Sequence, residues 1–337
     1  KRQLEDCLEP DADIVAIYIA MHTATRIAVE ALPKIRQLAP AARLCVYGLY
    51  APMNTQLFRS LGVNTVLGGE FETGLVSLAE RVRKGQPDIQ TEPEIALDKI
   101  AFIAPDRSKL PPLSKYAHLI NPDGTTRTAG FAETTRGCKY FCRHCPVVPV
   151  YQGKFRAIPA NIVLDDIRSQ VRAGAEHISF GDPDFLNGPG HALKIVRQMH
   201  REFPELSYDA TIKIEHIVNY PDAIAELKQT GCLFILSAVE AVDDAILEKL
   251  DKGHTRADFI HALEIVRRLD IDLAPTFVAF TPWTTLDNYI ELLQLLAELQ
   301  LVESVAPVQL SIRLLVPAGS YILRLPELDD ILGAFDP

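Results

Sequence analysis

No run of 18 apolar residues occurs in the 337-residue chain, so no segment reads as a helix able to cross a bilayer. No secretory h-region or transit peptide opens it. The chain starts at "KRQLEDCLEPDADIVAIYIAM", without an initiating Met, which reads as a start from which earlier residues have been removed. A basic excess is missing too. With 34 Lys and Arg against 44 Asp and Glu, the formal net charge is −10, the wrong sign for a chain whose main partner is a nucleic-acid backbone. Cysteine is scarce, and its spacing excludes a disulfide framework: of six, three stand in one cluster and three stand alone. What remains is a globular chain, expected in the cytoplasm, with 48% apolar residues and so a sizeable core.

The apolar residues fall into two series. Over 14–84, "IVAIYIAM" (14–21), "RLCVYG" (43–48) and "TVLGG" (65–69) read as short strands separated by amphipathic helical stretches, the signal of a parallel sheet with crossover helices. Three strands are few for a doubly wound domain, so the first strand and helix are expected in the missing N-terminal residues. Residues 85–130, rich in Pro, Asp and Lys, read as an ordered connector. From 131 the alternation is more regular. Strands are expected at 131–136, 177–181, 207–213, 233–239, 272–280 and 307–315. Helices are expected near 159–173, 190–202, 220–230, 243–250, 256–269 and 285–299. Six β/α units fall short of a closed eight-fold barrel and predict a partial (β/α)6 TIM-type barrel. The fold class is therefore α/β: a truncated Rossmann-like domain at 1–84, the connector, the partial barrel at 131–320, and a C-terminal extension at 321–337.

The chemistry of such a barrel sits at the C-terminal ends of its strands. There "AETTRGCKYFCRHCPVV" (132–148) places Cys138, Cys142 and Cys145 within eight residues, with no fourth cysteine nearby. Tight thiolate clusters hold zinc or iron–sulfur centres. His144 would complete a four-ligand zinc set, but all four donors would come from one cramped loop and no second knuckle is present. The other option is a cubane with three irons held by thiolates and the fourth left open. Cys45 and Cys232 lie in apolar strand-like runs and read as small buried hydrophobes, whereas Cys7 is too near the chain start for a reading.

Cys138-x-x-x-Cys142-x-x-Cys145, with an aromatic ring just before the last cysteine, resembles the signature of the radical S-adenosylmethionine (radical SAM) enzymes. The resemblance implies a 4Fe–4S cluster whose open iron chelates the amino and carboxylate groups of S-adenosylmethionine. An electron passed to the sulfonium then releases a 5′-deoxyadenosyl radical, which requires a donor such as a flavodoxin or ferredoxin. Other positions line up with that family. Gly181, Asp182 and Asp184 of "FGDPDF" (180–185) fall where the family has a glycine-rich stretch near the methionyl amine, although the usual Gly-Gly-Glu is altered. A tight turn with an Asp cap is the alternative reading of them. Lys213 and Glu215 of "TIKIEH" are placed to face ribose or carboxylate, Glu240 ends the fourth strand, and His144 would sit against adenine. Arg313, within an apolar run, would hold a carboxylate if it points inward and reach water if it points outward. Trp283 reads as a pocket wall or a buried structural ring. His254 and His261 read as surface residues.

A β/α sheet ahead of such a barrel resembles the cobalamin-binding domain of the B12-dependent branch. Tyr47 and Gly48 of "YGLYAP", with Gly68 and Gly69 of "GGEFET", match loops that would lie under a corrin ring. The Asp-x-His-x-x-Gly element that supplies a lower axial histidine is absent, so cobalamin would bind without a side-chain cobalt ligand, or the domain has lost it. Over residues 11–320 the chain looks most like a narrower set, the radical SAM proteins with a Cys-Sec or Cys-Cys-Ala-Glu-Pro type tail, though no such tail occurs here. The function so implied is modification, by methylation if cobalamin is bound, of a small organic substrate, without nucleic-acid or membrane partners. A non-methylating radical rearrangement and a zinc-stabilised binding protein are the alternatives.

Overall fold

The computed structural model describes residues 4–6 and 8–334, so Cys7 lies outside the described residues. The chain divides into two compact units. One comprises residues 1–101, 144–152 and 315–337, and the other 102–143 and 153–314.

In the first unit, β1 (Ile14–Tyr18), β2 (Arg43–Tyr47), β3 (Thr65–Gly69) and β4 (Ile95–Ala96) form one parallel sheet in that order. The crossovers are α1 (His22–Leu38), α2 (Thr55–Ser60) and α3 (Glu72–Arg83). Strand periodicity sorts the side chains. Leu44, Val46 and Val66 pack with Ala28, Leu32 and Ile35 of α1 and Phe58 of α2, whereas Cys45 and Leu67 turn to the other face against Leu78 of α3. The fourth strand lies in the segment expected to be a connector. Two residues long, it carries no periodicity to read. A buried ion pair, Arg81 to Glu92 at 2.9 Å, ties the approach to β4 onto α3. A short helix, α4 (Val147–Tyr151), belongs to this unit; its Tyr151 hydroxyl donates to the Gly69 carbonyl at 3.4 Å.

The second unit is built on a curled sheet. β6 (Thr126–Ala132), β9 (His177–Phe180), β10 (Ser207–Thr211), β11 (Cys232–Glu240) and β12 (Asp272–Phe277) run parallel, and β5 (His118–Ile120) pairs antiparallel with β6 at one edge. A two-stranded ribbon, β7 (Thr135–Gly137) with β8 (Phe155–Ala157), flanks the cysteine loop. The helices are α5 (Ala160–Arg172), α6 (Pro189–Glu202), α7 (Ile214–Asn219), α8 (Pro221–Gln229), α9 (Asp244–Leu250), α10 (Arg256–Arg268) and α11 (Leu286–Glu298); all but the short α7, which is not among those expected, fall close to their expected ranges. Ile178, Phe180, Tyr208 and Ala210 point outward into the main core with Ile167, Ile195, Val196 and Met199 of α5 and α6. Each such fully buried side chain contributes roughly 1.5–3 kcal/mol. The opposite face carries a polar network near the strand starts, in which His177 stands 2.8 Å from both Ser207 Oγ and Asp209 Oδ1.

Two expectations are corrected. The first barrel strand runs over Thr126–Ala132, not 131–136, because the chain turns at Glu133–Thr134 and re-forms as β7. No sixth strand forms at 307–315. Pro307–Leu310 takes a 3-10 turn, and only an isolated bridge joins Arg313 to Phe280. Among the described residues the curled sheet therefore has five parallel strands, and none of the helices is long and apolar enough to cross a membrane.

Candidate active site

The second unit gathers the loops that follow β6, β9, β10 and β11 at the C-terminal ends of those strands. Two side chains from the loop after β9 shape the start of the cysteine loop. Asp182, 2% exposed, accepts from Thr134 N at 3.0 Å, Thr134 Oγ1 at 2.7 Å and Thr135 Oγ1 at 2.6 Å. Its carboxylate therefore anchors the turn out of β6, in keeping with the tight-turn alternative. Burial raises its pKa against the pull of those hydrogen bonds. Asn187 Nδ2 donates to Gly137 O at 3.4 Å, and its Oδ1 accepts from Lys139 N at 3.3 Å and lies 3.6 Å from Cys138 Sγ. Further along, Arg143 N donates to Leu250 O, and its guanidinium donates to Glu248 O and Lys249 O, all at 2.9 Å. A cation on the last carbonyls of α9 is favourably placed.

Between the first two cysteines, Tyr140 is fixed by a buried chain. Its hydroxyl lies 2.6 Å from His216 Nε2, and His216 Nδ1 lies 2.9 Å from Asp184 Oδ2. A carboxylate accepting from Nδ1 leaves Nε2 to accept the phenolic proton. Asp184 Oδ1 also accepts from Lys213 N at 3.3 Å. Lys213 Nζ stands 3.3 Å over the Tyr140 ring and 3.2 Å from Glu215 Oε2. Burial first, then the charges of Glu215 and Asp184, push the Tyr140 phenol up. The structure thus brings Asp184, Lys213 and Glu215 to the cysteine loop. Tyr140, His216 and Asn187, which carry much of the geometry, were not singled out by sequence.

The loop after β11 adds a second set. Glu240 ends the strand with φ +72° and lies 3.4 Å from Lys252 Nζ. A left-handed glutamate is strained by about 1–3 kcal/mol. His254 is buried, not a surface residue, whereas His261 is exposed. Burial first, then Lys252 and Lys213, lowers the His254 pKa to about 4. Gly181 is exposed beside the Phe131 ring, and Arg313 is exposed with its charge in solvent, the outward alternative. Trp283 is half-buried, with Lys249 Nζ 5.1 Å over its ring.

Cys138 and Cys142 are free thiols. Burial pushes the Cys138 thiol up, and Cys142 is buried beside it in the second unit. Three soft donors in one loop match a cluster in their chemistry. Among the described residues, no three cysteine, histidine or acidic groups already converge as a metal site, so the loop would have to draw its thiols together. His144, half-buried, and Cys145 belong to the first unit, where burial first and then Cys145 push the Tyr50 phenol up to about 12. Cys45 and Cys232 are fully buried, as expected of small hydrophobes.

In the first unit the glycines serve internal packing. A Cβ on Gly69 would lie 2.1 Å from Ala96 O, one on Gly68 2.6 Å from Pro52 Cγ, and one on Gly48 2.7 Å from the Tyr18 ring. The close approach expected of a corrin is made by the chain's own atoms. What stands at these strand ends is an aromatic cluster: Tyr47 lies 5.3 Å from Tyr18 and 4.9 Å from Phe71, centroid to centroid.

A family model described as the Radical SAM superfamily matches residues 132–300. The chain is 23% identical over 306 residues to the threonylcarbamoyladenosine tRNA methylthiotransferase MtaB of Rickettsia prowazekii, covering 86% of this chain and 67% of that one. It is 24% identical over 231 residues to the hopanoid C-3 methylase of Methylococcus capsulatus, covering 66% and 43%. Among solved structures, the radical S-adenosylmethionine methyltransferase TsrM from Kitasatospora setae, with tryptophan and a SAM analogue bound, superposes with a TM-score of 0.69 at 16% identity, covering 85% of this chain and 60% of that one. The cobalamin-dependent S-adenosylmethionine radical enzyme OxsB, with aqua-cobalamin and S-adenosylmethionine bound, gives 0.68 at 17% identity, covering 97% and 53%. At such identities the likeness to the solved structures is one of fold. The chain spans less than two thirds of either solved chain.

Proposed function

The chain belongs to the radical SAM superfamily, and on that premise we propose that it cleaves S-adenosylmethionine reductively at a 4Fe–4S cluster held by Cys138, Cys142 and Cys145, and modifies, by methylation, a small organic substrate. The observation that carries the reading is the cysteine loop at the strand ends of a curled parallel sheet, with Cys138, Cys142 and Cys145 within eight residues. When bound, the cluster supplies the electron that breaks the sulfonium bond, and cobalamin would supply a transferable methyl group. The chain's own residues shape and charge the site. Asp182 and Asn187 set the start of the loop, and the Asp184–His216 pair holds Tyr140. Lys213, Glu215 and Glu240 are the charged groups that would read a zwitterionic methionyl group, and His144 would face adenine.

Cobalamin in the first unit is supported by the fold shared with OxsB; Tyr47, with the rings of Tyr18 and Phe71 beside it, would present the apolar face, above the tightly packed Gly48, Gly68 and Gly69. Kinship to the Cys-Sec or Cys-Cys-Ala-Glu-Pro tail proteins rests on the motifs alone, and the electron donor is proposed by class, a flavodoxin or ferredoxin. The test is anaerobic reconstitution with iron and sulfide. About four irons and four labile sulfides per chain, with 5′-deoxyadenosine formed under a reductant and lost in Cys138→Ala, Cys142→Ala or Cys145→Ala, are expected. About one zinc per chain with no labile sulfide would overturn the reading in favour of a structural zinc site.

A further inference from the structure

We propose that the second unit carries, at the open edge of its curled sheet, a binding site for a neutral, largely hydrocarbon small molecule. The feature is a cavity of about 560 Å³ between the free edge of β6, the end of α5 and the segment 107–117 that straps over them. That volume suits one small ligand.

Three polar side chains around the cavity, Gln170, Arg107 and Ser179, are already engaged. β5 pairs with β6 only as far as Thr128, so the backbone of Phe131 would be left as an unpaired sheet edge. Gln170 closes it with its side-chain amide, accepting from Phe131 N and donating to Phe131 O, both at 2.9 Å. Arg107 donates twice to Asp166 at 2.8 Å and once to Phe131 O at 3.1 Å. Ser179 Oγ donates to Asp209 at 2.6 Å. A charged guest would have to break a bidentate ion pair to find a partner.

The apolar groups are in the opposite condition. Leu110, Tyr116 and Phe131 line the cavity yet remain 52%, 51% and 50% exposed. A guest that covers them gains the burial that the fold leaves undone. The strap is held at its far end by Ala129 N donating to Ala117 O at 3.1 Å, so the cavity is formed without a guest. Phe131 also reaches Gly181, where a Cβ would lie 2.0 Å from its ring, so the cavity's wall abuts the end of β9. The site uses none of the cysteines and does not depend on the radical chemistry proposed above.

The test is titration of the protein, without cofactors, with N-phenyl-1-naphthylamine, a neutral fluorophore, and with its anionic relative 8-anilinonaphthalene-1-sulfonate. One saturable site for the neutral probe is expected, with the sulfonate weaker by about tenfold or more. Ala117→Trp and Ala173→Phe, which fill the cavity from the strap and from the helix end, should each weaken the neutral probe by about tenfold, whereas Val302→Trp, elsewhere on the surface, should leave it unchanged. Circular dichroism checks folding, and Leu110→Ser, a milder change at an exposed strap position, serves should a filled variant misfold. Absence of saturable binding, binding undiminished in the folded cavity variants, or tighter binding of the sulfonate would overturn the proposal.

Discussion

Asp184 and His216 are each 1% exposed, and neither has solvent to fall back on if the other is removed. Breaking such a pair by deleting one partner strands a buried polar group, at about 3–5 kcal/mol. Asp184→Ala is therefore expected to lower the unfolding free energy by about 3 kcal/mol or more. The double variant with His216→Ala should lose clearly less than the sum of the single losses, read from urea denaturation. Tyr140→Phe removes only the phenolic end of the chain and should cost about 1 kcal/mol. His254 gives a pH signature of opposite origin. Its folded pKa, about 4, lies below the ordinary 6.5, so the unfolded chain binds the proton more readily and its contribution is complete above about 6.5 and lost as pH falls toward 4. Relative to His254→Gln, the wild type should lose about 3 kcal/mol over that window, and a flat difference would contradict burial as the cause. None of these partners could be read from the sequence. Tyr140 and Asp184 meet His216 across 76 and 32 positions, and pairing at such separations is decided by strand order, which apolar periodicity does not encode.

Elements were more readable where burial on one face imposes a period. The strands at 177–180 and 207–211 and the six longer helices of the second unit sit within a few residues of their expected bounds because each has an apolar stripe to display. β4 was missed since two residues have no period. The run 307–315 failed as a strand despite its alternating apolar residues, because Pro307 starts a 3-10 turn that consumes half of it. The shift of the first barrel strand has its cause in Asp182, whose carboxylate takes three donors from Thr134 and Thr135 and turns the chain before the cysteines. Asp182→Ala would leave a buried N–H and two hydroxyls without their acceptor. A loss of about 3 kcal/mol is expected, together with reduced iron retention after reconstitution. Unchanged iron content in a destabilised Asp182→Ala protein would show that the cysteine loop finds its conformation without this anchor.

At the scale of the whole molecule, the two proposed cofactors call on different side chains. Iron would be held by thiols of the loop that begins at Cys138, whereas a corrin would rest on Tyr18, Tyr47 and Phe71, whose rings cluster at the strand ends of the first unit. Each unit has its own hydrophobic core, so a conservative surface change in one need not unfold the other. Loading should therefore separate. Cys138→Ala and Cys142→Ala should abolish labile sulfide while cobalamin, followed by its own absorbance, is retained. Phe71→Ala with Tyr18→Ala should reduce cobalamin retention by about tenfold, given the apolar area lost, and leave about four irons in place. Loss of both cofactors in either variant would tie the two sites into one cooperative assembly. Retention of cobalamin by the double aromatic variant would move the corrin away from these rings. Gly69 sharpens the comparison: with Ala96 O 2.1 Å from where its Cβ would stand, Gly69→Ala must push β4 aside, so it should lower stability, measured by thermal unfolding, whether or not cobalamin is present. An effect seen only in the cobalamin-loaded protein would mean that the glycine answers to the cofactor rather than to the sheet.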